Sequence, residues 1–116
     1  MVLAAVLFAI AALGGAAMAF MRLSGRELPP MALALVHGLF AAAGLVALLV
    51  AVVGTNVSTQ FQIALGGFVV AALGGFFLFS YHLRGKALPV PVVLIHGVVA
   101  VISFVLLLLG IFALRG

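Results

Sequence analysis

Four stretches of this chain, residues 2–21, 31–53, 62–81 and 91–114, contain no Asp, Glu, Lys or Arg. Each is about as long as the ~20 apolar residues a helix needs to cross the hydrocarbon core of a bilayer. A chain of 116 residues that is 69% hydrophobic and 5% charged cannot cover itself with polar groups as a small water-soluble globule must. Its solvent is therefore lipid. Strands are disfavoured, because a membrane barrel needs more strands and alternating polarity. The expected fold is an all-α membrane protein, with four transmembrane helices in one bundle over residues 1–116.

The chain also repeats itself. Ile10-Ala11-Ala12-Leu13-Gly14-Gly15 returns as Val70-Ala71-Ala72-Leu73-Gly74-Gly75. Gly25-Arg26-Glu27-Leu28-Pro29 returns as Gly85-Lys86-Ala87-Leu88-Pro89, and Leu35-Val36-His37-Gly38 as Leu94-Ile95-His96-Gly97. The unit is a two-helix repeat, one copy over about 1–55 and the other over about 61–116. An even number of spans per copy gives both copies the same orientation. They are expected to be related by a parallel pseudo-twofold axis along the membrane normal.

The breaks between spans are chemically distinct. Ser24–Pro30 and Arg84–Pro89 are basic and end in proline, which is tolerated at a helix start where its missing N–H has no partner to lose. Gly54–Gln60 is polar and uncharged, with Ser58 or Thr59 placed to cap the third helix. Asn56-Val57-Ser58 matches a glycosylation sequon, a weak signal in so short a loop. Arg22, Arg26, Arg84 and Lys86 flank one face with only Glu27 against them, whereas the other face has Arg115. Basic loops stay in the cytoplasm, which places both termini outside, in a bacterial inner membrane by expectation. The same asymmetry accounts for the net charge of +4 without nucleic-acid binding. Ala17-Met18-Ala19 resembles a signal-peptidase site. No basic residue precedes the first apolar run, however, and that run matches the second copy, so it reads as a retained helix.

Polar chemistry inside the spans is sparse. There is no cysteine, no carboxylate pair, no phosphate-cradling loop and no nucleophile–base set, so nothing here marks an enzyme beyond a redox carrier. What remains is His37, seven residues past Pro30, and His96, five past Pro91. At 1.5 Å per residue each lies roughly 8–10 Å inside its helix. Gly14 and Gly15, with their copies Gly74 and Gly75, lie roughly 10–12 Å from the same face on the first and third helices. Losing side chains there admits either a flat ligand or a neighbouring helix. Gly67, Ala71 and Gly74 or Gly75 make a small-residue stripe that suits helix packing alone. Each histidine has two readings as well. A polar group in a membrane interior is by default a functional candidate, yet it can also be a hydrogen-bond donor to a nearby carbonyl.

Zinc wants three or four ligands, and no further donor lies at that depth. Haem suits two imidazoles from facing helices of a bundle, and Arg22, Arg26, Arg84 and Lys86 lie at the nearer face to receive its propionates. Histidines in the second and fourth helices, glycine pairs in the first and third and basic connections nearby resemble the small four-helix membrane b-type cytochromes. That resemblance implies one haem b with its iron held by His37 and His96, and electron exchange with a quinone or a redox partner protein. Many of those cytochromes carry more membrane histidines; here only His82 is spare, at the end of the third span, where it reads as an interfacial residue beside the anchor Tyr81. Met18 pairs with Leu78 in the copy and reads as packing.

Two other functions remain open. A structural or assembly subunit would dock its glycine stripes in a larger membrane complex or homo-oligomer. A small transporter would resemble the four-span multidrug exporters, but no Asp or Glu lies inside a span to couple protons.

Overall fold

The computed structural model describes residues 1–115, with side chains through residue 113. Four helices follow one another: α1 (Val2–Leu23), α2 (Met31–Gly54), α3 (Thr59–Arg84) and α4 (Val90–Arg115). Among the described residues there is no strand. All four helices are long and apolar enough to cross a membrane, as an integral membrane protein requires. The molecule measures 44 × 21 × 19 Å. Its long axis exceeds the ~30 Å hydrocarbon core, which leaves the connections in the interfacial layers.

The number and centres of the helices match the apolar runs, but the ends do not. α3 starts at Thr59 rather than 62 and continues to Arg84 rather than 81. Apolar counting stops at the first polar side chain, whereas backbone hydrogen bonding continues until the chain is made to turn. Gly85 makes it turn. Its φ of +66° is left-handed, and the Gly85 and Lys86 amides donate back to the carbonyls of His82 and Tyr81. The matching Gly25 has φ +105° just past the end of α1. Pro30 takes the N-cap position of α2, and Ser58 that of α3. The expected side-chain cap at α3 does not form; the Phe61 amide donates to the Ser58 backbone carbonyl instead. The Arg115 side chain, expected on the opposite face, lies outside the described residues.

α1 packs on α2 and α4, and α3 packs on α4 and α2; the diagonal helices make no close backbone contact. At the end with the termini, Ala4, Phe8, Leu48, Phe61, Phe68 and Leu107 form the larger buried cluster. There Phe8 of α1 and Phe68 of α3 stack across the diagonal, rings 3.8 Å apart and 3° from parallel. Glycine makes room for the rings. A Cβ on Gly44 would lie 3.0 Å from the Phe8 ring, and one on Gly110 2.8 Å from that of Phe61. At the basic end, Leu78, Leu88 and Val93 make a second cluster. The two basic connections are tied together there, because the Leu88 amide donates to the Glu27 carbonyl at 3.1 Å and Arg22 Nε donates to the Leu88 carbonyl at 2.7 Å.

Candidate functional site

The other diagonal, between α2 and α4, is bridged by histidine. His37 and His96 approach across it with ring centres 6.2 Å apart and planes crossing at 83°. Both are half-buried. Each ring is tied to the preceding helix of its own sequence copy. His37 Nδ1 donates to the Ala11 carbonyl at 2.7 Å, and His96 Nδ1 donates to the Ala71 carbonyl at 2.8 Å.

The glycine pairs explain how a side chain reaches those carbonyls. A helical carbonyl already accepts from the amide four residues on, and the side chain of that later residue leans back over it. Gly15 is four past Ala11, and Gly75 is four past Ala71, so neither carbonyl is covered. A Cβ on Gly15 would lie 2.9 Å from His37 Cε1, and one on Gly75 3.3 Å from His96 Cε1. Gly14 and Gly74 also face the histidines, with a Cβ on Gly14 3.5 Å from His37 Cβ and one on Gly74 3.5 Å from His96 Nδ1. Each of the four glycines contacts the histidine of its own copy, and that side chain takes up the room the glycine leaves. The same device recurs at Gly110, four past Leu106, whose carbonyl accepts from Gln60 Nε2 at 2.9 Å. Sequence reasoning missed that bond, although the glycine spacing signals it.

A neutral imidazole that donates through Nδ1 has only a lone pair at Nε2. Among the described residues no hydrogen bond forms at either Nε2. Neither of these Nε2 atoms is buried, so an interhelical brace through Nδ1, worth about 0.6 kcal/mol on average in a membrane, is not opposed by a buried unmet atom. Metal-bound histidines show this arrangement, with the second nitrogen held by a carbonyl and the ligating one bare. No third His, Cys, Asp or Glu joins the pair to form a three-ligand metal group among the described residues.

Three of the four basic residues expected near a propionate each make a local hydrogen bond, Arg26 through Nε to the Leu28 carbonyl. Arg22 Nε is held by the Leu88 carbonyl. Arg84 is exposed, bonds Ser80 on its own helix and lies 4.5 Å over the Tyr81 ring. His82 lies beside Phe79, and its Nε2 is buried without a hydrogen-bond partner. Compared with known proteins, the chain matches no family model, no curated protein and no solved structure.

Proposed function

We propose that the protein is a membrane electron carrier that holds one haem b between His37 and His96. One observation carries this reading: two carbonyl-anchored imidazoles meet across the bundle with both Nε2 atoms unpartnered. Two imidazole nitrogens of fixed tautomer, on His37 and His96, would hold the iron of such a group. Haem iron, when bound, supplies one-electron oxidation and reduction. The chain's own part is to orient both rings through the Ala11 and Ala71 carbonyls and to surround them with apolar helices. The reading rests on the histidine pair alone. The matched contacts of Ala11 with His37 and of Ala71 with His96 also support a duplicated bundle with a parallel pseudo-twofold axis. The basic end is read as cytoplasmic, so electrons would be exchanged there with a quinone or a redox protein.

A second reading, a docking subunit of a larger membrane complex, is favoured by Gly38 and Gly66. A Cβ at either would meet nothing within 4 Å, which leaves flat lipid-facing patches.

The deciding experiment is an absorption spectrum of the protein purified after haem-replete expression. A low-spin haem spectrum that changes on reduction is expected. An axial pair acts as a unit, so His37→Ala and His96→Ala should each abolish the low-spin signature while His82→Ala retains it. Wild type that stays colourless while folded, or a spectrum indifferent to both axial substitutions, overturns the reading. Colourless protein that co-purifies with fixed partners favours the docking subunit.

A further inference from the structure

A site unrelated to the histidines lies where α1 meets α4 near the basic end. An apolar cleft runs along this seam, lined by Ala19 of α1 and by Val93, Leu94, Gly97, Val98 and Val101 of α4. Arg22 lies one helical turn beyond Ala19, with its Nε fixed to the Leu88 carbonyl just before α4 begins. That bond sets the guanidinium plane and leaves the two terminal nitrogens without a hydrogen bond among the described residues. Arg22 makes no hydrogen bond to Glu27, the only carboxylate side chain in the sequence. A fixed planar fork of N–H donors suits the paired oxygens of a phosphate. Arg22 is in the last turn of α1, next to the apolar residues that line the cleft.

We infer that one anionic phospholipid is held in this seam, its phosphodiester on Arg22 and an acyl chain in the cleft beside Gly97. The charge selects the occupant. Arg26, Arg84 and Lys86 surround the same end and make its potential positive, which favours a headgroup of net negative charge over a zwitterionic one. Gly97 provides the slot. A Cβ built there meets nothing within 4 Å, so the glycine leaves room without being needed by any packed neighbour. The site does not depend on a haem being bound.

The test uses the full chain in nanodiscs of equal parts palmitoyl-oleoyl phosphatidylglycerol and phosphatidylcholine, with retained lipid counted by native mass spectrometry. Wild type should retain one phosphatidylglycerol in preference to phosphatidylcholine. Arg22→Gln should lower that retention about fivefold, the worth of one basic side chain at a charged surface. Gly97→Leu should lower it comparably by filling the cleft, with no clash in the protein. Gly38→Leu, the matched position in the first copy and equally open, should leave it unchanged. Phosphatidylcholine retained as readily as phosphatidylglycerol overturns the proposal. So does Gly97→Leu protein that keeps the lipid. Loss with Gly97→Leu but not with Arg22→Gln overturns it in favour of an uncharged occupant. Should Arg22→Gln fail to fold, the headgroup preference of wild type and the two glycine variants still decide.

Discussion

Glycine at a single position can decide whether a buried histidine has a partner. Gly15 uncovers the Ala11 carbonyl, and the His37 ring fills the space a side chain would take. Gly15→Ala places a Cβ 2.9 Å from Cε1, a ring atom of a side chain held by its own hydrogen bond, so the ring must move and the bond must lengthen. Overpacking of this kind costs about 1–3 kcal/mol. Gly75→Ala meets His96 at 3.3 Å and should cost less. Unfolding of the two variants in detergent checks the order. In a His37→Ala background the Gly15→Ala penalty should largely vanish, since the clashing ring is gone. Equal tolerance of both substitutions with histidine present would show that these glycines do not face the rings. At this scale the sequence was partly legible. The repeat brought His37, His96 and four glycines to one depth. It could not reveal that each glycine opens on its own copy's histidine, because that depends on how far each helix is rotated about its axis. Spacing along one helix does not set that rotation.

Helix pairs show the same dependence on small residues. α3 and α4 come close where Gly67 faces Ser103, whose side chain is buried and whose hydroxyl donates to the Val99 carbonyl one turn back at 2.7 Å. A Cβ on Gly67 would collide with the Ser103 hydroxyl, with the Ser103 Cβ behind it at 3.2 Å. Gly67→Ala should therefore destabilise the pair by about 1–3 kcal/mol. Ser103→Ala alone removes only a bond within one helix and should cost less than about 1 kcal/mol. The double variant should be more stable than the sum of the two predicts, because the second substitution removes the atom that obstructs the first. Strict additivity in a double-mutant cycle would place the two residues out of contact. The α3 stripe of Gly67, Ala71 and Gly74 was readable as a packing face, and it does pack on α4. Ser103 was not singled out, since a lone serine in an apolar run carries no signal until its neighbour is known. Helix ends were less legible than helix centres, as α3 shows by running through Arg84 until Gly85 turns the chain.

For the whole molecule, charge distribution is the information that packing does not supply. Four helices of this length fit a bilayer in either direction, and the apolar clusters at the two ends would be equally buried both ways. The ends differ in charge. Arg22, Arg26, Arg84 and Lys86 cluster at one, where Arg22 and the Leu88 amide tie the two connections into a single basic surface. The other connection, 55–58, has no charge. Translocating four cations is disfavoured during insertion, so the basic end should remain cytoplasmic and both termini should lie outside. Single cysteines provide a direct test, because the wild-type chain has none to remove. Ser24 and Ser58 are both exposed, one on each side. Replacing Ser24 loses only a local bond to the Phe20 carbonyl. With intact cells and an impermeant thiol reagent, Ser58→Cys should label at once and Ser24→Cys only after the membrane is opened. Labelling of Ser24→Cys together with protection of Ser58→Cys would reverse the orientation. It would also move the histidine layer and the Arg22 lipid seam to the opposite leaflet, so that any redox partner would have to approach from outside.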